Sequence, residues 1–123
     1  MDDAFEELLS FSMNVGQAQA QSEFTAPGGK RMVIEFVTAI LTVPAGQSVA
    51  VTFFVRTGGI PNPGIRHALA VTPQGTFNGG EVYVCSRLVR LYPDPGTNVI
   101  FEVTRNSTSS VASGNISLTG YLR

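Results

Sequence analysis

The 123-residue chain has no tryptophan, one cysteine, one histidine and few charged residues. Charged side chains make up 14% of it, against about 25% in a typical soluble domain. Part of its surface must therefore be uncharged, or covered by partner subunits. A single cysteine cannot form an intrachain disulfide, and we expect Cys85 to be a small buried residue. One histidine and one cysteine are too few for a structural zinc-type site, so we predict no metal and no cofactor.

The net charge of −1 hides an asymmetry along the chain. Four of the nine acids lie in the first seven residues, whereas the eight basic residues are scattered over the remainder. This spacing excludes the dense basic patch that nucleic acid binding requires, so we expect no nucleic acid partner. No apolar run approaches the roughly 18 residues of a membrane-spanning helix, and we expect no membrane insertion.

The N-terminus lacks the basic start and apolar core of a signal peptide. We therefore leave the compartment open. Secretion or display at the cell surface is expected only if such a signal has been removed.

What the chain does contain is a series of short segments in which apolar and polar residues alternate. The clearest are residues 32–43 and 49–55, separated by the turn-like residues 44–47, and we predict that they pair as a long β-hairpin. Phe53 and Phe54 lie on opposite faces of the second run, so both faces of that strand are expected to be buried.

Similar segments recur every eight to twelve residues between turns rich in Gly, Pro, Asn and Ser, and none has the pattern of an amphipathic helix. We predict an all-β fold, an antiparallel β-sandwich or jelly roll of about eight strands with no substantial helix. The sandwich is expected to span residues 8–123 as one domain, after an acidic N-terminal arm over residues 1–7. Residues 81–92 are expected to contain a bulge or a bend near Ser86-Arg87, where their apolar residues change phase and the strand is expected to cross from one sheet to the other.

Antiparallel succession of the strands sorts the loops to two ends of the sandwich. One end is expected to hold residues 27–30, 58–64 and 93–97, rich in Gly and Pro. The other is expected to hold residues 44–47, 72–80 and 105–114, rich in Thr, Ser, Asn and Gln. Because loops at sandwich ends commonly carry recognition, a carbohydrate-type ligand site is placed in the second group, at Phe77, Asn78, Asn106, Ser107 and Thr108. The lack of tryptophan weighs against sugar stacking.

Catalysis is not indicated by the sequence. An enzyme would have to use Arg66, His67 and either Glu35 or Asp94, but no spacing joins a nucleophile, a base and an orienting group. We expect His67 to be a partly buried strand residue and Glu35 to point to solvent or pair with an arginine. The chain is therefore predicted not to be an enzyme.

Three segments of the chain resemble parts of small bacterial β-sandwich proteins of uncharacterised function, which are often exported. The segments are KRMVIEFVTA (30–39), VRLYPDPGTNV (89–99) and SGNISLTGYLR (113–123), which include an RLYxDPGT turn and a closing GYL strand and cover about a quarter of the chain. The residues SLTGYL are also similar to the last strand of C1q/TNF-like jelly rolls, which are trimers. These resemblances concern core and turn residues, and they imply a fold but no reaction.

Low charge and the two-sided strand with Phe53 and Phe54 favour a structural or assembly module that associates with copies of itself. The alternative is the carbohydrate-type binding module at the loops named above.

Overall fold

The computed structural model describes residues 3–123 and places them in two antiparallel β-sheets packed face to face, with no helix in this part of the chain. The predicted all-β sandwich is confirmed. It has nine strands, which are β1 (Asp3–Met13), β2 (Gln19–Thr25), β3 (Met32–Pro44), β4 (Val49–Val55), β5 (Ile65–Leu69), β6 (Thr72–Phe77), β7 (Gly80–Leu91), β8 (Asn98–Arg105) and β9 (Ala112–Leu122). Sheet A has the order β1-β9-β3-β7-β6 and sheet B the order β2-β8-β4-β5.

The core lies between the two sheets and is filled by every second residue of the central strands. Phe101, Ile34 and Ile116 are completely buried, and the ring of Phe53 stacks on that of Phe101 with centroids 5.1 Å apart. Burial of each such side chain stabilises the fold by about 2 kcal/mol. Period-two alternation thus decides which face of each sheet is dry.

The long hairpin predicted for residues 32–55 is wrong. β3 lies in sheet A between β7 and β9, whereas β4 lies in sheet B between β5 and β8. The turn after Pro44 therefore carries the chain from one sheet to the other. Alternation shows that each strand buries one face, but two such strands satisfy it equally well side by side or facing each other across the core.

Residues 72–80, expected to form a long loop, instead contain the edge strand β6 and a tight turn into β7. All six residues of β6 are exposed, so backbone pairing rather than burial holds the strand. Asn78 and Gly79 have φ values of 50° and 79°, as a two-residue hairpin turn of the Asn-Gly type requires. β5 and β6 run in the same direction, one after the other. The chain passes from sheet B to sheet A between them, at Ala70-Val71.

β7 remains in sheet A along its whole length, so the predicted change of sheet near Ser86-Arg87 is wrong. The register irregularity lies further along, where Leu88 and Leu91 face Phe36 and Ile34 of β3. Val89 and Leu91 pack against the core with Tyr83, which leaves Val82 and Val84 on the outer face. The change in apolar phase reflects apolar residues on both faces of one strand.

β1 begins at Asp3 rather than near residue 8, which corrects the predicted acidic arm over residues 1–7. Asp3 pairs with Leu122, and Phe5 packs against the core. The long last strand, β9, provides a ladder partner for these acidic residues, and their charges remain at the sheet edge. Met1 and Asp2 lie outside the described residues.

The loops fall at two ends, as predicted. At the Gly/Pro end, formed by residues 26–31, 56–64 and 92–97, Gly96 N donates to the Ala26 carbonyl over 2.9 Å. At the polar end, formed by residues 14–18, 45–48, 78–79 and 106–111, Gly16 N donates to the Thr108 carbonyl over 2.8 Å.

Candidate functional site

Two of the predicted ligand-binding residues, Phe77 and Asn78, lie at the tip of the β6–β7 hairpin at the polar end. The side chain of Phe77 is 59% exposed. Asn78 lines a shallow depression of about 190 Å³ together with Ser110 and Val111. Asn78 therefore adjoins the last part of the loop between β8 and β9.

The other three predicted residues lie in the first part of that loop, where they hold it in place. Asn106 Oδ1 accepts a hydrogen bond from Ser48 N at 2.8 Å, and the Ser107 hydroxyl lies 3.1 Å from the Ser109 hydroxyl. Neither of these residues, nor Thr108, lines the depression beside Asn78. The structure therefore brings the five residues to one end of the molecule but not into one cavity.

The polar end is built around Arg105, which was predicted to lie in a loop and was not predicted to have this role. This residue ends β8 and is 3% exposed. Its guanidinium donates five hydrogen bonds of 2.9 to 3.3 Å to uncharged oxygens, namely the carbonyls of Asn14, Gln17, Ser109 and Ser110 and the Gln47 side chain. A guanidinium has five N–H donors, so the loops use its full capacity and leave none for an anionic ligand.

Gln47 extends this cluster to a third loop. It is 6% exposed, and its Nε2 donates to the Ser109 carbonyl over 2.9 Å. Its own carbonyl accepts a hydrogen bond from the Tyr83 hydroxyl at 3.0 Å. Arg105 and Gln47 together join the β1–β2, β3–β4 and β8–β9 connections.

Asp94, one of the carboxylates considered for catalysis, has a corresponding role at the Gly/Pro end. Its carboxylate accepts hydrogen bonds from Gly59 N at 2.8 Å and Gly58 N at 3.0 Å. Arg31 Nη1 lies 3.4 Å from it. The two backbone hydrogen bonds, with a smaller contribution from Arg31, lower the pKa of Asp94. The carboxylate is ionised and engaged in holding the 56–64 loop.

The remaining residues considered for catalysis do not form a cluster. The His67 ring stacks on that of Phe53 with centroids 5.0 Å apart, and the residue is partly buried, as predicted. Arg66 lies over the ring of Phe54 at 5.9 Å, and Glu35 is exposed in the irregular part of β3. Within residues 3–123, no hydrogen bond or ion pair joins His67 to a carboxylate.

Cys85 is 8% exposed and pairs with Ala39 across sheet A, which confirms that it is a buried strand residue. Burial raises the pKa of its thiol, and the positive charge of Arg87 only partly opposes this. A thiol with a raised pKa is protonated at neutral pH and is a poor nucleophile or metal ligand.

The described residues contain no group of three or more His, Cys, Asp or Glu side chains placed to hold a metal ion. They also include no helix of sufficient length and apolar character to cross a membrane.

The outer face of sheet A carries fewer charged side chains than the outer face of sheet B. Its strands present the following side chains: Glu6, Leu8, Ser10 and Ser12 of β1; Ser113, Asn115, Ser117 and Thr119 of β9; Phe36, Thr38, Ile40 and Thr42 of β3; and Val82, Val84, Ser86 and Leu88 of β7. Glu6 is the single charged residue in this set. Ile40 is 57% exposed and Leu88 is 80% exposed, so apolar surface of the two central strands faces outward.

The outer face of sheet B has a different character. Glu23 and Glu102 lie on its outward side, and Gln21 Nε2 donates to the Glu102 carboxylate over 3.1 Å. Phe54 is half-buried, with the Arg66 guanidinium above its ring. Charged and amide groups therefore cover the apolar residues of this face.

Neither the comparison with known protein families nor that with curated proteins finds a match to this chain.

Proposed function

We propose that the protein is a non-enzymatic structural or assembly module that associates with a second copy of itself through the outer face of sheet A. The observation that supports this most strongly is the uncharged surface described above, with Ile40 at its centre. Soluble monomers rarely expose large contiguous apolar patches, and the patches that they do expose usually mark interaction sites.

The polar groups of this face are suited to a dry contact. The hydroxyls of Thr38 and Ser117 hydrogen-bond to each other, and Ser10 Oγ donates to Asn115 Oδ1 over 3.1 Å. Because these side chains already have partners on their own sheet, covering them leaves few polar atoms unsatisfied. Ile40 and Val84, paired across β3 and β7, can then pack against apolar side chains of the second copy.

The area of the face matches that of a stable dimer. With the edge strand β6 included, five strands about 4.8 Å apart and about ten residues long present roughly 800 Å². A standard interface buries about 800 Å² on each partner. Because the same face would serve both copies, we propose a two-fold dimer.

The charged residues of this face lie at its margin near the Gly/Pro end. Glu6 lies level with Phe36 and Leu88 across the sheet, and the exposed Glu35 and Arg90 follow in the irregular region. An apolar centre with a charged rim is the usual anatomy of a protein interface.

The two-sided burial expected at Phe53 and Phe54 does not point to this surface. Phe53 lies in the core, and Phe54 is covered by Arg66 on sheet B. The support for self-association therefore comes from sheet A and not from β4.

The test is the native mass in solution, measured by sedimentation velocity over a wide concentration range. We expect the wild type to be a dimer and Ile40→Lys to weaken dimerisation by about 100-fold, because a charge would enter the apolar centre. Ile100→Lys is the matched control: Ile100 is an outward residue of a central strand of sheet B that pairs with Glu23, so a lysine there finds an opposite charge. A wild type that stays monomeric at high concentration contradicts the proposal, as does equal dissociation of both variants.

The carbohydrate-type alternative depends on Phe77, whose exposed ring adjoins Asn78. Apolar faces of sugars stack on aromatic rings. It is the weaker candidate because the Asn106 and Ser107 side chains are engaged within their own loop. Binding on a glycan array that Phe77→Ala abolishes would favour it over self-association.

A further inference from the structure

One flank of the sandwich leaves part of a central strand without a neighbour. β7 pairs with β3 on one side, but on the other side β6 pairs only with residues 80–84. In the described part of the chain no strand pairs with the remaining edge of β7, residues 85–91, here called the open edge. Its seven residues span about 23 Å. At Cys85 it adjoins the first residue of β6, Thr72, which pairs with Val84.

The open edge is basic. Arg87 and Arg90 lie on it and are exposed, and Arg66 lies on the neighbouring strand β5 of sheet B. None of the three forms an ion pair with another described residue. Natural proteins use charge to keep edges from pairing with each other, and the same charges select an edge partner of opposite sign.

Two depressions run along the open edge, and no acidic residue lines either of them. The first, of about 280 Å³, lies between the sheets, where Phe53, Leu69 and Val89 line it together with the polar side chains of His67, Arg87 and Arg90. The second, of about 370 Å³, lies beside β6, and Arg87 lines both. A strand placed here would have a pocket for an inward apolar side chain and arginines beside it.

We propose that the open edge binds an extended acidic segment of a partner protein as an added β-strand. Free backbone N–H and C=O groups of residues 85–91 would supply the ladder, and the first depression would take an apolar side chain of the segment. Arg87 and Arg90 would pair with its carboxylates, which is the charge complementarity that favours an acidic occupant.

The length of the open edge favours a flexible segment over a second copy of the domain. β1 is an edge strand of sheet A, at the side opposite β6, and has eleven residues. If β1 of a second copy were aligned antiparallel in register with the acidic residues opposite Arg87, its later residues would occupy the position of β6. A segment of about seven residues has no such conflict.

The first experiment uses two end-blocked seven-residue peptides, one alternating Val and Glu and the other alternating Val and Lys. We expect the Val/Glu peptide to bind the full chain in fluorescence anisotropy and the Val/Lys peptide not to bind. Amide hydrogen exchange should then slow at residues 85–91, because their free N–H groups gain acceptors. Equal binding of both peptides, or protection elsewhere in the chain, overturns the proposal.

The second experiment removes the charge. Arg87→Gln together with Arg90→Gln should weaken binding of the Val/Glu peptide by about tenfold, the effect of losing two exposed ion pairs. Lys30→Gln is the control, because Lys30 pairs with Asp3 on β1, at the opposite edge of sheet A, and should leave binding unchanged. Exchange protection of residues 85–91 that grows with protein concentration without peptide would show a second copy at the edge and overturn the proposal. The monomeric Ile40→Lys variant should still bind the peptide, so this test is independent of dimerisation.

Discussion

Each end of the sandwich has one charged side chain that hydrogen-bonds to the backbone of its loops, and the two charges are opposite in sign. At the Gly/Pro end the Asp94 carboxylate accepts hydrogen bonds from two backbone N–H groups. At the polar end the Arg105 guanidinium donates to four backbone carbonyls and one side-chain amide. In each case one charged side chain hydrogen-bonds to several polar backbone groups of the loops.

The two charged side chains differ in depth and in the number of bonds. Arg105 is 3% exposed, whereas Asp94 is half-buried and close to solvent. Water can replace a lost acceptor at Asp94, whereas the Arg105 guanidinium is itself buried and joins three loops through five hydrogen bonds. The difference teaches that a buried charge makes its loops depend on it, whereas an accessible one only reinforces them.

The largest effect is therefore expected at Arg105. Arg105→Met keeps much of the buried stem but removes the five donors, so that the 14–17 and 109–110 segments and Gln47 lose the group that joins them. We expect the free energy of unfolding to fall by about 3 kcal/mol, measured by urea denaturation.

Arg90→Met is the control for this substitution. Arg90 is an exposed arginine with no hydrogen bond or ion pair to the described residues, and its loss should change stability by less than about 0.5 kcal/mol. If Arg105→Met were as mild as Arg90→Met, the polar end would not depend on its buried charge.

A smaller loss is expected for Asp94→Asn at the opposite end. The amide keeps the shape of the side chain but weakens the acceptors for Gly58 N and Gly59 N, because hydrogen bonds to an ionised group are stronger. The expected order in urea denaturation is wild type, then Asp94→Asn, then Arg105→Met as the least stable. A reversal of the two variants would contradict the argument from depth.

The pH dependence of stability should separate the two ends further. Because the pKa of Asp94 is lower in the folded chain than in the unfolded one, its stabilisation is fully present above the unfolded pKa of about 4. It is lost as the pH falls below that value and through the folded pKa. The stability difference between wild type and Asp94→Asn should therefore shrink below about pH 4, whereas that between wild type and Arg105→Met should stay constant, since arginine remains charged. A gap for Asp94→Asn that does not change with pH would contradict the role given to its charge.

The sequence predicts the faces of the strands better than their neighbours. Alternation along residues 49–55 correctly places Phe53 on a buried face because burial depends on local period, but the second face, expected to be buried from Phe54, lies on the outside of sheet B. Pairing depends on the whole fold, which is why β3 and β4 were wrongly joined. β6 was missed because all its side chains are exposed, although the Asn78-Gly79 turn was a usable hairpin signal.

The part played by Arg105 was predictable in one respect only. Val99, Phe101 and Val103 alternate inward along β8, and Arg105 continues the same phase. That phase indicates a buried arginine. Its acceptors lie in segments up to 91 residues away in the chain, so no local pattern shows what the arginine binds. The five predicted ligand residues lie at one end because strand direction places their loops there, and this much was predictable. Their side-chain contacts depend on how the loops pack, which residue spacing does not show.

The smallest effect concerns the turn at the Gly/Pro end, where neighbouring glycines serve as their own controls. Gly29 has φ of +79°, a conformation that costs an L-residue about 1 kcal/mol, and an added Cβ would meet no atom within 4 Å. Gly29→Ala should therefore lower the free energy of unfolding by about 1 kcal/mol through backbone strain alone. Gly28 also has open space around it but no positive φ, so Gly28→Ala should be neutral or stabilising by up to about 0.5 kcal/mol. Equal effects of the two substitutions would mean that the stability of this end depends on loop contacts rather than on glycine geometry. The two ends of the sandwich would then be stabilised in the same way.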